Sequence, residues 1–290
     1  MKICVCVKWV LYTGIPFEID EKYRVARQKN CEPIYTINRP DRCALESAIQ
    51  LRNAIGGEIF AVTLGPPMAN EALYTCLGRG ADNGIHIIDG ESKSQDSYLT
   101  ALCLSRVIGT LNCHLILCGA GSCDSNNFQV PYFLGEMLDL PQISRVIKLE
   151  YDHEAMKVRA TRSLRRGKRE IVESSLPSVI GVEAAIAEPH YVSVNSKQIA
   201  AEKGIRSLSA VALFDEGVWP SPLVRKISQS LPRPRPKATA APDFSASPAQ
   251  RLQFIMTGGI QAKESAELLE GESEKTLEAF IDTLKREKII

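Results

Sequence analysis

Four short, nearly continuous apolar runs alternate with segments of helical period over the first 140 residues, and that alternation restricts the chain to a parallel α/β architecture. The runs are Ile3–Val7, Glu58–Leu64, Gly84–Asp89 and Cys113–Cys118. Apolar runs without in-out alternation belong to strands covered on both faces. Between the first two, Asn38-Arg39-Pro40-Asp41 is a helix-start signal, and Ala44, Leu45, Ala48, Ile49 and Leu51 recur at helical spacing up to Gly56-Gly57. Further helices are expected from Ala69 to Leu77, from Asp96 to Leu111 and from Gln129 to Leu140, the last with a proline in its first turn. The expected fold is a doubly wound, mostly parallel sheet.

From residue 144 the period changes to two. Val146, Lys148 and Glu150, then Met156, Val158 and Ala160, then Ile171, Glu173 and Ser175 read as an antiparallel extension over about 144–176, and Pro177–Val182 can rejoin the main sheet. Seven of the sixteen prolines fall in 220–248, including Pro232-Arg-Pro-Arg-Pro236, the composition of a semi-rigid extended arm. The expected organisation is an α/β domain over 1–205, a proline-rich arm over 206–257, and C-terminal helices over 258–290. In the last helix Leu277, Phe280, Ile281 and Leu284 make a stripe suited to a partner surface.

Lysine and arginine (35) balance aspartate and glutamate (34), so net charge gives no argument for nucleic acid or an anionic membrane. No apolar run is long enough for a membrane span. Lys8 splits the opening apolar stretch and no small-residue cleavage site follows, so it reads as a strand and not a signal peptide. The nine cysteines all lie in the first 123 residues, are odd in number and include no Cys-x-x-Cys pair. Buried reduced thiols, and a cytoplasmic location (the mitochondrial matrix in a eukaryote), are expected.

No catalytic or metal-binding constellation is visible. The histidines (86, 114, 153, 190) have no ligand companions at useful spacing, and there is no Gly-x-Ser-x-Gly elbow and no His-Glu-x-x-His. Gly119-Ala120-Gly121-Ser122-Cys123-Asp124 is informative by position: it leaves the fourth strand and leads to a helix, where an open parallel sheet binds ligands. Its glycines allow close backbone approach and the helix start offers N–H groups to a phosphate. No lysine or arginine lies between 107 and 144, so the loop suits a nucleotide held by backbone and amides without a cationic clamp. The competing reading is a polar loop that binds nothing.

The ordered set of segments resembles the β subunit of electron transfer flavoproteins. It comprises Val7-Lys8-Trp9-Val10, the helix opening from Asn38 to Leu51, Gly65-Pro66, Gly80-Ala81-Asp82, Asp124 to Val130, Leu176-Pro177-Ser178-Val179 and Glu188-Pro189-His190-Tyr191. The resemblance implies a Rossmann-like, adenine-nucleotide-binding domain in a heterodimer with an α subunit that carries FAD. It implies AMP, or the adenine part of a second FAD, at Cys6, Asn38, Leu64, Gly65, Ser122, Asp124, Asn126, Asn127, Phe128, Gln129 and Val130. It implies docking of an acyl-CoA or similar flavin dehydrogenase through Ala184, Ile186, Glu188 and Tyr191, transfer to a downstream acceptor, and a C-terminal arm embracing the α subunit. The chain departs from the family pattern at Val10-Leu11-Tyr12, Gly119-Ala120-Gly121, Phe128, Pro131 and the basic turn Arg165-Arg166-Gly167-Lys168-Arg169. A flavin-bifurcating variant with FAD and an NADH site on this chain, and a stand-alone adenine-nucleotide-binding regulator, are the alternatives.

Overall fold

The computed structural model describes residues 1–20, 25–29, 31–89, 96–152, 154–214, 223, 224, 227, 247–256 and 273–286. Its elements run β1 (Lys2–Cys6), β2 (Trp9–Leu11), β3 (Phe17–Asp20), β4 (Val25–Gln28), β5 (Tyr35–Ile37), α1 (Arg39–Ile55), β6 (Glu58–Gly65), α2 (Asn70–Arg79), β7 (Asn83–Ile88), α3 (Ser97–Leu111), β8 (Leu115–Gly119), α4 (Val130–Met137), β9 (Gln142–Asp152), β10 (Lys157–Ser163), β11 (Arg169–Ser175), β12 (Ser178–Val182), α5 (Val194–Glu202), β13 (Arg206–Ser209), α6 (Pro248–Met256) and α7 (Ser273–Arg286). Nine strands form one sheet in the order β11-β10-β9-β12-β8-β1-β6-β7-β13. Pairing is parallel from β9 to β13 and antiparallel where β10 joins β9 and β11 joins β10, which is the expected doubly wound α/β fold with its antiparallel extension.

Residues of β1 divide between two cores. Ile3, Val5 and Val7 face α1 and α2, whereas Cys4 and Cys6 face α3 and α4. β8 repeats the division, with Leu115 and Leu117 on the first face and Ile116 and Cys118 on the second. Both faces are covered, which is why these strands show no polar alternation. The chain moves outward from β1 through β6 to β7, then returns to place β8 on the other side of β1, making a switch point between β1 and β8.

Several details differ from expectation. α4 ends at Met137 and not at Leu140, because Asp139 takes φ 52° and the Leu140 N–H closes onto the Gly135 carbonyl (2.9 Å). Two small antiparallel pairs, β2–β5 and β3–β4, occupy the stretch between β1 and α1. Trp9 stacks on Tyr35 across the first of them, ring centroids 6.3 Å apart. β13 adds an edge strand beyond residue 205, in the segment read as arm. α6 also falls in that segment, since Pro248 opens the helix, where its missing N–H costs nothing, and the Ser247 hydroxyl accepts from the Gln250 N–H (3.4 Å). Most of 220–246, and the helix expected after Gly258-Gly259, lie outside the described residues.

The chain divides into two compact units, residues 1–230 and 231–290. In the second, α7 carries Leu277 and Phe280 exposed and Ile281 and Leu284 half-buried, the stripe expected from the sequence. Among the described residues no helix is long and apolar enough to cross a membrane.

All nine thiols are free, and seven are buried. Burial pushes Cys76 and Cys103 each up to about 12. Cys31 and Cys123 are exposed, and the Cys123 thiol is raised by partial burial and by the neighbouring Asp124 carboxylate. Thiol modification of the native protein should therefore label Cys31 first and Cys123 more slowly, with the other seven reacting only after denaturation; peptide mapping after timed alkylation reads this directly.

Candidate functional site

Asp41, in the first turn of α1, is the centre of the switch point. Its carboxylate accepts the Lys8 N–H just past β1 (2.8 Å), the Gly119 N–H at the end of β8 (3.0 Å) and the Asn38 side-chain amide (3.1 Å). Asn38 does not cap its own helix. Its amide instead donates to the Gly121 carbonyl (3.0 Å) and its oxygen accepts the Cys123 N–H (3.2 Å), bolting the loop after β8 to the start of α1. Asn38 and Asp41 are both buried.

The loop glycines have a structural reason distinct from ligand approach. A Cβ on Gly119 would strike the Asp41 carboxylate and the Pro40 ring (2.9 Å for the latter), and one on Gly121 would lie 2.9 Å from the Phe128 ring. Glycine is needed at 119 because the buried Asp41 occupies the space, whereas the contact at 121 is with the outer atoms of a part-exposed ring. Asn126 (φ 51°) and Phe128 (φ 56°) both sit in the left-handed region, and the Asn126 N–H closes a turn onto the Ser122 carbonyl (2.9 Å).

A cavity of about 470 Å³ opens at the carboxyl ends of β1, β6 and β8. Of the residues singled out in the sequence, Cys6, Asn38, Leu64, Gly65, Ser122, Asp124, Asn127, Phe128, Gln129 and Val130 line it; Asn126 does not. Cys6, Leu64, Leu104, Cys118 and Val130 make an apolar wall, and Ser97, Thr100, Ser122, Ser125, Asn127 and Gln129 add hydrogen-bonding groups. Asn127 donates to the Ser97 hydroxyl (3.2 Å), joining the loop to the start of α3. That start is capped by Asp96, which accepts the Tyr98 N–H (2.8 Å).

The sequence reading missed Lys8, Trp9, Asp41 and Asp89 as cavity residues. It also expected no cation at this loop, and that expectation is corrected. Lys8 Nζ reaches across from β1 to pair with Asp124 (2.7 Å), so a cation is present but already engaged by the loop's own carboxylate. Burial alone would raise the Asp124 carboxyl, but the Lys8 ammonium, the Ser122 hydroxyl and the Ser125 N–H together hold it below its ordinary value. The signal was the lysine that interrupts the first apolar run; its partner stands 116 residues away.

The residues expected to dock a partner lie on the loop following β12. Tyr191 is 85% exposed and Glu188 is exposed, whereas Ile186 packs against the core and Ala184 is half-buried. Glu46, buried on α1, accepts both the His190 N–H (3.1 Å) and a contact from His190 Nδ1 (2.6 Å), and Arg79 Nη1 donates to the His190 carbonyl (2.5 Å). The loop is thereby fastened at the residue next to Tyr191. Among the described residues no group of three or more histidine, cysteine or acidic side chains is placed to hold a metal ion.

Burial pushes the Asp41 carboxyl up to about 7, against the pull of its three donors. This lies above the value of about 3.9 for an unfolded aspartate, so the native state binds the proton more tightly. Its stabilising contribution is complete below about pH 4 and is lost as pH rises through about 7. Urea unfolding across that window should show the wild-type protein losing stability, on the order of 4 kcal/mol, relative to Asp41→Asn. Parallel profiles for the two proteins would mean that Asp41 is ionised throughout.

Comparison with known proteins gives a consistent picture. The family model for the electron transfer flavoprotein domain matches residues 32–213. The chain is 33% identical over 158 residues to the electron transfer flavoprotein subunit beta of Thermoanaerobacterium thermosaccharolyticum, a match spanning 54% of this chain and 60% of that protein. It is 30% identical over 240 residues to the subunit of the same name from Bacillus subtilis, covering 82% of this chain and 87% of the relative. With that from Syntrophomonas wolfei it shares 30% identity over 213 residues, covering 73% and 81%.

Proposed function

The chain belongs to the electron transfer flavoprotein family, and from that premise we propose that it is the β subunit of a heterodimeric electron carrier. In this reading it holds AMP, or the adenine part of an FAD, in the cavity at the switch point and assembles with an α subunit that carries FAD. The observation that carries the reading is the convergence of the nucleotide residues from three strand ends and one loop on a single cavity of about 470 Å³. That volume lies in the range of small-molecule sites, and an apolar wall with a polar rim suits a base and ribose with an attached phosphate.

Ser122, Ser125, Asn127 and Gln129 would hold the phosphate and ribose oxygens, while Cys6, Leu64, Leu104 and Val130 exclude water from the base. No side chain caps α4 at Gln129, which suits an anion at that helix start. FAD, when bound in the complex, supplies the one- and two-electron chemistry. This chain's part is to bind, to orient and to present a surface. Tyr191, Glu188, Ala184 and Ile186 are the proposed contact for an acyl-CoA or similar flavin dehydrogenase, on a loop whose anchoring by Glu46 and Arg79 favours a preformed surface. The complex would then pass electrons to a downstream acceptor.

The test is to co-express the chain with an α subunit, denature the purified complex and quantify released nucleotides by mass spectrometry. One FAD and one AMP per heterodimer are expected. Two FAD without AMP would put flavin chemistry on this chain, and no nucleotide would overturn the reading. Gln129→Ala should lower the occupancy of the second nucleotide while leaving the α-subunit FAD in place.

Removing residues 250–290 should weaken heterodimer assembly while leaving the α/β domain folded, read by size-exclusion chromatography and circular dichroism. An intact heterodimer after that deletion would sink the proposed role of the C-terminal helices.

A further inference from the structure

The main cavity shares a wall with a second one of about 200 Å³; both are bordered by Ala120, Phe128 and Pro131. The Phe128 ring is the bulky part of that wall. It stands 38% exposed on a backbone with φ 56°, a conformation rarely adopted by a large side chain, and it is seated against Gly121, where a Cβ would approach it to 2.9 Å. A phenylalanine held this way, in a loop otherwise made of small and polar residues, is an outlier that calls for a functional reading.

Beyond the ring the second cavity is lined mostly by apolar surface, with the hydroxyls of Tyr132 and Ser144 and the side chain of Arg145 at its border. Tyr132 donates its hydroxyl to Ser144 Oγ (2.7 Å), and Arg162 Nη2 donates to the same oxygen (3.3 Å). Arg145 borders the cavity from a backbone that is also left-handed (φ 59°). Its Nε is committed to Glu183 (2.9 Å), while its two Nη groups have no partner among the described residues. A guanidinium with free N–H groups beside hydroxyls is a receptor for phosphate oxygens. Phe128 belongs to the loop that would hold the first phosphate, and it borders both that cavity and the one that Arg145 lines.

We propose that Phe128 is a specificity-determining partition, confining the ligand of the main cavity to a nucleoside monophosphate and closing off a chamber at Arg145 with the chemistry for a second phosphate. This rests on the AMP form of the nucleotide reading above, since the adenine part of an FAD carries a second phosphate. With Phe128 reduced to a methyl group the two chambers join, and the added phosphate of a nucleoside diphosphate gains the Arg145 contact.

The 290-residue chain, stripped of nucleotide, is titrated calorimetrically with AMP and with ADP. The wild-type protein should prefer AMP. Phe128→Ala should shift the AMP/ADP affinity ratio toward ADP by about tenfold or more, the scale of one charge-assisted hydrogen bond. Adding Arg145→Ala to that variant should remove the gain, and Phe128→Leu, which keeps the bulk, should retain the wild-type ratio. If the wild-type chain binds AMP but Phe128→Ala leaves the ratio unchanged, the partition is overturned while the nucleotide site stands. If the wild-type chain binds neither nucleotide, the nucleotide reading fails and the partition with it.

Discussion

A single buried carboxylate holds the switch point together. Asp41 takes one N–H from the end of β1, one from the end of β8 and one from the residue that starts its own helix, so three segments far apart in sequence meet on two oxygen atoms. The crevice opens there because the connections that leave the neighbouring strands β1 and β8 turn to opposite faces of the sheet. The carboxylate ties the two strand ends together at the base of that crevice. Asn38 extends the same network to the loop after β8, so the cavity wall is fixed by side chains that face away from solvent. The arrangement is costly to desolvate, and removal of one partner from such a network leaves the others unpaired. Gly119 completes it: the close seat of Asp41 leaves no space for a side chain at that position.

The doubly wound sheet was legible because β1, β6, β7 and β8 are covered on both faces and so lack polar alternation, and because glycines and prolines punctuate their ends. The cavity was legible through topology, since residues at the ends of parallel strands must converge wherever the strand order reverses. Contacts across long sequence distance were not. Lys8 read as the interruption of an apolar run and Asp41 as a helix-start residue, because their partners lie 116 and 78 residues away. Local pattern also failed for the short elements. β2, β5 and β13 have three or four residues each, too few for periodicity to separate them from loop. α6 was hidden by the proline at its start, a residue that excludes a helix interior but not a first turn.

The two faces of the sheet differ in chemistry. Isoleucine, valine, leucine and alanine dominate the face under α1 and α2, while Cys4, Cys6, Cys103, Cys113 and Cys118 all lie on the face under α3 and α4. Cys6 and Cys118 are paired in register on neighbouring strands and both line the cavity. A thiol occupies little volume and hydrogen-bonds weakly, so it leaves room for the cavity without burying a demanding polar group.

The Lys8–Asp124 pair has a consequence for any anion that enters the cavity. The carboxylate sits on the same chain as the ammonium it contacts, and both side chains are nearly half exposed, so the pair is worth about 1 kcal/mol or less. An anion arriving at Lys8 would therefore exchange one weakly held carboxylate for another negative group, and charge alone would add little to its binding. What the cavity could add is contact with its apolar wall, which the carboxylate of Asp124 does not occupy.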